Sequence, residues 1–156
     1  MKKLTDLLSG IKYSSASDIS EMTVSDIVYN SKKAFGGALF VCMRGAVSDG
    51  HRYARDAYER GARIFICEHE IDLPSDAVLI EVENARAALA DISANFFDHP
   101  EKKLYLIGIT GTKGKSSTCA MIFHALNSCG VKTGSIGTYG VCIGDTREPT
   151  ENSTPE

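Results

Sequence analysis

Gly111, Thr112, Lys113, Gly114, Lys115, Ser116 and Ser117 form one continuous run, inside Thr-Gly-Thr-Lys-Gly-Lys-Ser-Ser-Thr at 110–118. These residue types in this order suit phosphate binding. Glycines let backbone N–H groups approach an anion with no Cβ in the way, and a helix start adds the positive end of its dipole. Lys115 supplies a mobile positive charge for outer phosphates, and the Ser116 hydroxyl suits Mg²⁺. The general phosphate-loop pattern places a glycine where Ile109 stands, and Gly108 lies one residue too early. The run is the shorter G-T-x-G-K-S-S form. A glycine turn that binds nothing is the plain alternative, and it gives no packing reason for a lysine followed by two hydroxyls.

Such a loop needs a strand before it and a helix after it. Leu104, Leu106, Ile107 and Ile109 read as a buried strand, and 114–129 as a helix. That helix would turn Cys119, Ile122, Phe123, Leu126 and Cys129 inward, with Gly130 ending it. A short strand near 133–136 and a hairpin-like stretch at 139–147 follow. A phosphate-loop strand ordinarily sits within a parallel sheet covered on both faces. One helix and about three strands do not suffice for that, so the second unit reads as truncated. Its open edges and apolar faces lead to an expectation of self-association.

Upstream, 2–9 reads as a short helix carrying Leu4, Leu7 and Leu8, followed by a polar stretch at 14–21. Strands are expected at 24–29, 38–43, 63–67 and 77–82, and helices at 51–60 and 84–97. Asp49 is placed as the cap of the first of these helices rather than as a catalytic base. The charged, proline-punctuated stretch 98–103 reads as a linker, with Lys102 and Lys103 a solvated face. The fold class is therefore α/β: a small N-terminal α/β domain over 1–100, then the start of a phosphate-loop parallel-sheet ATPase domain over 101–156.

The 156 residues allow one ordinary domain, or one small domain and part of another. A hydrophobic share of 43% and a charged share of 24% are those of a soluble globular protein. A net charge of -3 gives no general reason to expect nucleic acid or membrane as partner. The five scattered cysteines, with no C-x-x-C pair, point to reduced core thiols in the cytoplasm. No export signal or membrane span is read. His51 and His99 are expected on solvated segments, His124 on a helix face and His69 after a strand, with no metal-ligand spacing among them. Glu151 is read as an exposed carboxylate.

Five further stretches complete a resemblance. Thr-Gly-Thr-Lys-Gly-Lys-Ser-Ser-Thr (110–118), Gly-Ser-Ile-Gly-Thr-Tyr-Gly (134–140) and Asn-Ser-Thr-Pro (152–155) resemble the start of the central ATPase domain of the Mur ligases. Tyr-Asn-Ser-Lys (29–32), Gly-Ala-Leu-Phe-Val (37–41) and Asp-Gly-His-Arg-Tyr (49–53) resemble the N-terminal domain of the tripeptide synthetase type. The similarity covers the whole chain, which corresponds to about the first third of such an enzyme.

The resemblance implies an ATP-dependent amide ligase of cytoplasmic peptidoglycan synthesis. It would act on UDP-MurNAc-L-Ala-D-Glu, ATP and a diamino acid, L-lysine or meso-diaminopimelate, through an acyl phosphate. Residues 111–117 would hold ATP, Lys115 would be the catalytic contact to the transferring phosphate, and Ser116 would meet Mg²⁺. Tyr29, Ser31, Ala46, Val47 and Ser48 would contact the UDP end of the substrate. Asn152, Ser153 and Thr154 would contact it near its sugar and diphosphate. Lys113 stands where many relatives carry asparagine or aspartate, and Ser116-Ser117 replace two threonines. Ala46-Val47-Ser48 lacks the usual polar groups, leaving backbone or Ser48 to bond. The remaining family machinery would lie beyond residue 156, so no turnover is expected of this chain alone. Two other readings stay open: a stand-alone UDP-sugar-binding module, and a ligase of the folylpolyglutamate synthetase type.

Overall fold

The computed structural model describes residues 1–45 and 48–148, and the chain divides into two compact units, Met1–Leu104 and Tyr105–Glu156. In the first unit the elements run β1 (Lys2–Lys3), α1 (Leu4–Leu7), β2 (Tyr13–Ser14), β3 (Thr23–Val24), β4 (Asp26–Val28) and β5 (Ala38–Val41). Next come α2 (Ala54–Glu59), β6 (Ile64–Cys67), β7 (Val78–Val82) and α3 (Ala85–Phe96). Short 3-10 turns occupy Ser31–Lys33, Gly50–Tyr53 and Pro100–Lys103.

The main sheet has the order β2-β7-β6-β5-β4. β4 through β7 are parallel, while β2 pairs antiparallel with β7 through Tyr13↔Val82 and Ser14↔Glu81. Every residue of β5 and β6 is buried, as expected of parallel strands covered on both faces. Successive side chains point to opposite faces. Leu39, Val41, Ile64 and Ile66 join Leu4, Leu7, Ala88, Leu89 and Ile92, so α1 and α3 cover one face. Phe40, Cys42, Phe65 and Cys67 join Ala54 and Ala57, so α2 covers the other. Phe40 and Phe65 meet edge to face, 6.0 Å between centroids. Complete burial of a side chain such as Ile92 stabilises the fold by about 1.5–3 kcal/mol.

Capping fixes the helix starts. Asn84 accepts a hydrogen bond from the Ala87 N–H at 2.9 Å, and Asp49 accepts one from the His51 N–H at 3.0 Å. The expected strand over 24–29 is split between β3 and β4, and the helix over 51–60 begins as a 3-10 turn. β2 lies at the edge of a stretch expected to be irregular. The stretch read as a linker contains the Pro100–Lys103 turn, and both Asp98 and His99 adopt positive φ, at 58° and 54°.

In the second unit, α4 (Lys115–Ser128) is followed by β8 (Gly134–Gly137), β9 (Gly140–Ile143) and β10 (Thr146–Glu148). These strands form an antiparallel sheet in the order β10-β9-β8. The segment 104–110 is neither a strand nor buried, contrary to expectation: Leu104, Tyr105, Leu106 and Ile107 are all exposed. A strand needs a ladder partner, and no described strand pairs with this segment. The inward face expected for α4 is also only partly realised. Phe123 is buried, Cys119 half-buried and Cys129 exposed. No helix among the described residues is long and apolar enough to cross a membrane.

Candidate functional site

The first candidate surface lies at the C-terminal ends of the parallel strands, where open α/β sheets bind ligands. Tyr29 and Ser31 follow β4; Arg44, Ser48 and Asp49 follow β5; Glu68 and His69 follow β6. Ser31 is buried at the start of its 3-10 turn. Asn30 caps that turn by accepting from the Lys32 N–H at 3.0 Å. A hydrogen bond from Ser31 is the main influence holding the Asp56 carboxyl below the usual range, and Arg60 adds to it. Ser31 is thereby tied to α2. Tyr29 is partly exposed.

The loop after β5 is closed at its base. Arg44 and Asp49 form an antiparallel bridge, the Gly45 N–H donates to the Ser48 carbonyl at 2.9 Å, and the Gly50 N–H donates to the Met43 carbonyl at 2.8 Å. Ser48 is exposed on this hairpin. Gly50 permits the closure, because a Cβ there would lie 2.6 Å from the Met43 oxygen. Ala46 and Val47 lie outside the described residues.

His51 departs from its expected place in solvent: only 7% of it is exposed. Its Nδ1 lies 2.5 Å from Asp49 Oδ1, and its Nε2 accepts from the Glu68 N–H at 2.9 Å. These contacts assign the tautomer, with the proton on Nδ1. The His51 bonds hold the Asp49 carboxyl below its usual range. His69 stacks on the His51 ring at 4.1 Å, and the Glu68 carboxylate accepts from the Ala85 N–H at 2.9 Å, at the start of α3. Reading residues by local polarity missed His51 and Glu68. The Asp-Gly-His spacing, which places a ring beside its capping carboxylate, is the sequence signal for the first contact.

The second candidate site is the glycine loop of the second unit. Gly111 and Gly114 have φ of 148° and 78°, within the range that favours glycine. Gly114 precedes α4 without a side-chain cap, and the first backbone bond of the helix runs from the Thr118 N–H to the Gly114 carbonyl at 2.9 Å. The N–H groups of Lys115, Ser116 and Ser117 therefore have no intrahelical acceptor. Lys115 Nζ donates back to the Gly111 carbonyl at 2.6 Å, drawing the ammonium across the loop. Lys115 and Ser116 line a cavity of about 550 Å³ together with Cys119, Phe123, Ser135 and Tyr139. Thr112 and Lys113 are exposed on the loop. Among the described residues no cluster of three or more His, Cys, Asp or Glu side chains could hold a metal. Ser116 offers one hard oxygen.

Residues 23–97 match the family described as Mur ligase family, catalytic domain. Over 153 residues the chain is 37% identical to the UDP-N-acetylmuramoyl-L-alanyl-D-glutamate--2,6-diaminopimelate ligase of Clostridium botulinum, covering 96% of this chain and 32% of that protein. The chain is similar to Mur ligases. The Bacillus licheniformis ligase of the same name is 40% identical over 155 residues, covering 99% of this chain and 31% of its own length. The chain thus spans about a third of the length of these Mur ligases.

Among solved structures, a MurF from Acinetobacter baumannii matches with a TM-score of 0.63 at 23% identity, over 80% of this chain and 27% of its own. MurF ligase from Thermotoga maritima, in complex with ADP, matches at 0.52 and 24% identity, over 69% and 24%. These likenesses show that the fold is that of Mur ligases. Within it, Tyr29, Ser31 and Ser48 fall at one end of the parallel sheet, and 111–117 form the glycine loop of the other unit. The expected Mur ligase contacts Asn152, Ser153 and Thr154, like Glu151, lie outside the described residues.

Proposed function

We propose that this chain is the N-terminal part of a UDP-MurNAc-L-Ala-D-Glu:diamino-acid ligase of cytoplasmic peptidoglycan synthesis. The carrying observation is its identity, across nearly its whole length, to ligases named for 2,6-diaminopimelate. Diaminopimelate is accordingly the amino acid favoured over L-lysine. Residues 1–100 serve as the UDP-substrate domain and 101–156 begin the ATP-binding domain.

In the reaction, a carboxylate oxygen of the D-Glu residue attacks the γ-phosphorus of ATP and ADP leaves. The amine of the diamino acid then attacks the acyl carbon, phosphate departs and an amide forms. Charge develops on the transferring phosphoryl oxygens, which is where fixed donors lower the barrier. The free N–H groups at the start of α4 and the Lys115 ammonium supply such donors. Binding requires Lys115 to exchange its bond to the Gly111 carbonyl for a phosphate oxygen. Ser116 would be one ligand of a Mg²⁺ carried by the nucleotide phosphates, whose charge would offset that of the phosphoryl group. Ser31, Tyr29 and Ser48, with Ala46 and Val47 in the same loop, bind the UDP end. Asn152, Ser153 and Thr154 contact the substrate further along.

Calorimetric titration tests this reading. UDP-MurNAc-L-Ala-D-Glu is expected to bind the chain, and Ser31→Ala, with its fold intact, to bind about tenfold more weakly. Absence of binding by the folded wild-type chain would refute the substrate assignment. Titration with Mg-ATP tests the glycine loop separately. A phosphate-release assay is expected to show no turnover by this chain alone; substrate-dependent release would refute that expectation.

A further inference from the structure

His51 is a buried polar ring whose two nitrogens are both engaged, with Asp49 at 2.5 Å and the Glu68 N–H at 2.9 Å. No lone pair is left for a ligand or a metal, so the ring neither binds nor transfers. Its neighbours indicate its purpose. Asp49 accepts from both the backbone and the ring of His51, and it also bridges Arg44 at the base of the hairpin after β5. Glu68 directly follows β6, and its carboxylate accepts from the Ala85 N–H at the start of α3. His69 covers the ring at 4.1 Å. One side chain therefore fastens the hairpin that carries Arg44 and Ser48 to the neighbouring strand end and, through it, to a helix start.

The geometry points to His51 as a positioning residue for nucleotide-substrate recognition, holding Arg44 and Ser48 at the sheet end where Ser31 also stands. This rests on the proposal that this sheet end binds the UDP moiety. Without the ring, the hairpin keeps its own backbone bonds from Gly45 and Gly50 and the turn bonds to Asp49 from the His51 and Arg52 N–H groups, and loses its side-chain tie to the end of β6. Ordering it then falls to the ligand, which weakens binding.

The test is calorimetric titration of the chain with UDP, for wild type, Ser31→Ala, His51→Ala and His51→Gln, with amide hydrogen exchange on each. His51→Ala is expected to bind UDP about tenfold more weakly. Its Gly45 and Gly50 amides should exchange faster while the β5 and β6 amides keep their protection. His51→Gln, whose amide oxygen can accept from the Glu68 N–H, should recover part of the affinity. Wild-type affinity in folded His51→Ala overturns the inference, as does faster exchange throughout the sheet. If His51→Ala does not fold, His51→Gln decides: affinity about threefold below wild type supports the role, and unchanged affinity overturns it. UDP binding that Ser31→Ala weakens and His51→Ala does not would overturn this inference alone. A wild-type chain that binds no UDP overturns the substrate reading as well.

Discussion

Asn95 donates from its Nδ2 to the Leu7 carbonyl at 2.9 Å and to the Ser9 carbonyl at 3.1 Å, tying the last turn of α3 to the end of α1. Both carbonyls lie past the reach of α1's own bonding, since a four-residue helix leaves its C-terminal oxygens unpaired. Lys2 adds a second tie, donating to the Asn95 carbonyl and pairing with Asp98. Asn95→Ala removes both donations. A loss of about 1–3 kcal/mol in unfolding free energy is expected by urea titration, with UDP affinity unchanged.

Ile92 is completely buried under the sheet face that α1 and α3 cover. Ile92→Ala leaves a cavity in that layer and is expected to cost about 2–5 kcal/mol, again by urea titration. A cost well below 1 kcal/mol would show that the layer collapses around the gap.

The cysteines should divide by reactivity. Burial raises the Cys67 thiol to about 11 and moves the Cys42 thiol further in the same direction, while Cys129 is exposed. Only thiolate reacts quickly. At pH 8, alkylation read by mass spectrometry is expected to modify Cys129 ahead of Cys42 and Cys67 in the native chain, and all five cysteines after unfolding. Native labelling of Cys67 at the rate of Cys129 would contradict the burial.

Acid should weaken the first unit. Asp49 is held below its usual range by His51, Asp56 by Ser31 and Asp76 by Tyr58. Their folded values lie under the unfolded ones, so the unfolded chain takes up protons first as pH falls. The stabilisation is complete above the ordinary aspartate value of about 4 and is lost as pH drops through the lowered folded values. Urea midpoints are expected to hold steady down to about pH 5 and then decline, with a shallower decline when Asp49→Asn removes one of these groups.

The parts of the fold that were legible from sequence were those whose cause is local. The apolar runs at 38–41 and 64–67 read as buried strands because both faces of each are covered, and α3 carries its own apolar spacing and an asparagine cap. Tyr13–Ser14 was not legible, because two polar-flanked residues become a strand only through Val82 and Glu81. His51 was misplaced for the same reason: the N–H that its Nε2 meets belongs to Glu68, 17 residues away. At 104–109 the pattern favoured a strand, but pattern does not supply a neighbour to bond. Around the glycine loop, the positive φ of Gly111 and Gly114 and the helix start at Lys115 follow directly from residue type.

The pairing of Tyr13 with Val82 also constrains how the protein is made. Residues near the beginning of the chain must wait on the ribosome's delivery of those near 82 before their edge strand has anything to join. The parallel pairs impose a similar delay, since each joins segments separated by a crossover. A nascent chain shorter than this has α1's leucines without the strands that bury them. Acquisition of the first unit's sheet therefore waits until synthesis has passed residue 82, and the glycine loop near 111 follows only about 30 residues later, an interval of a few seconds at ordinary elongation rates.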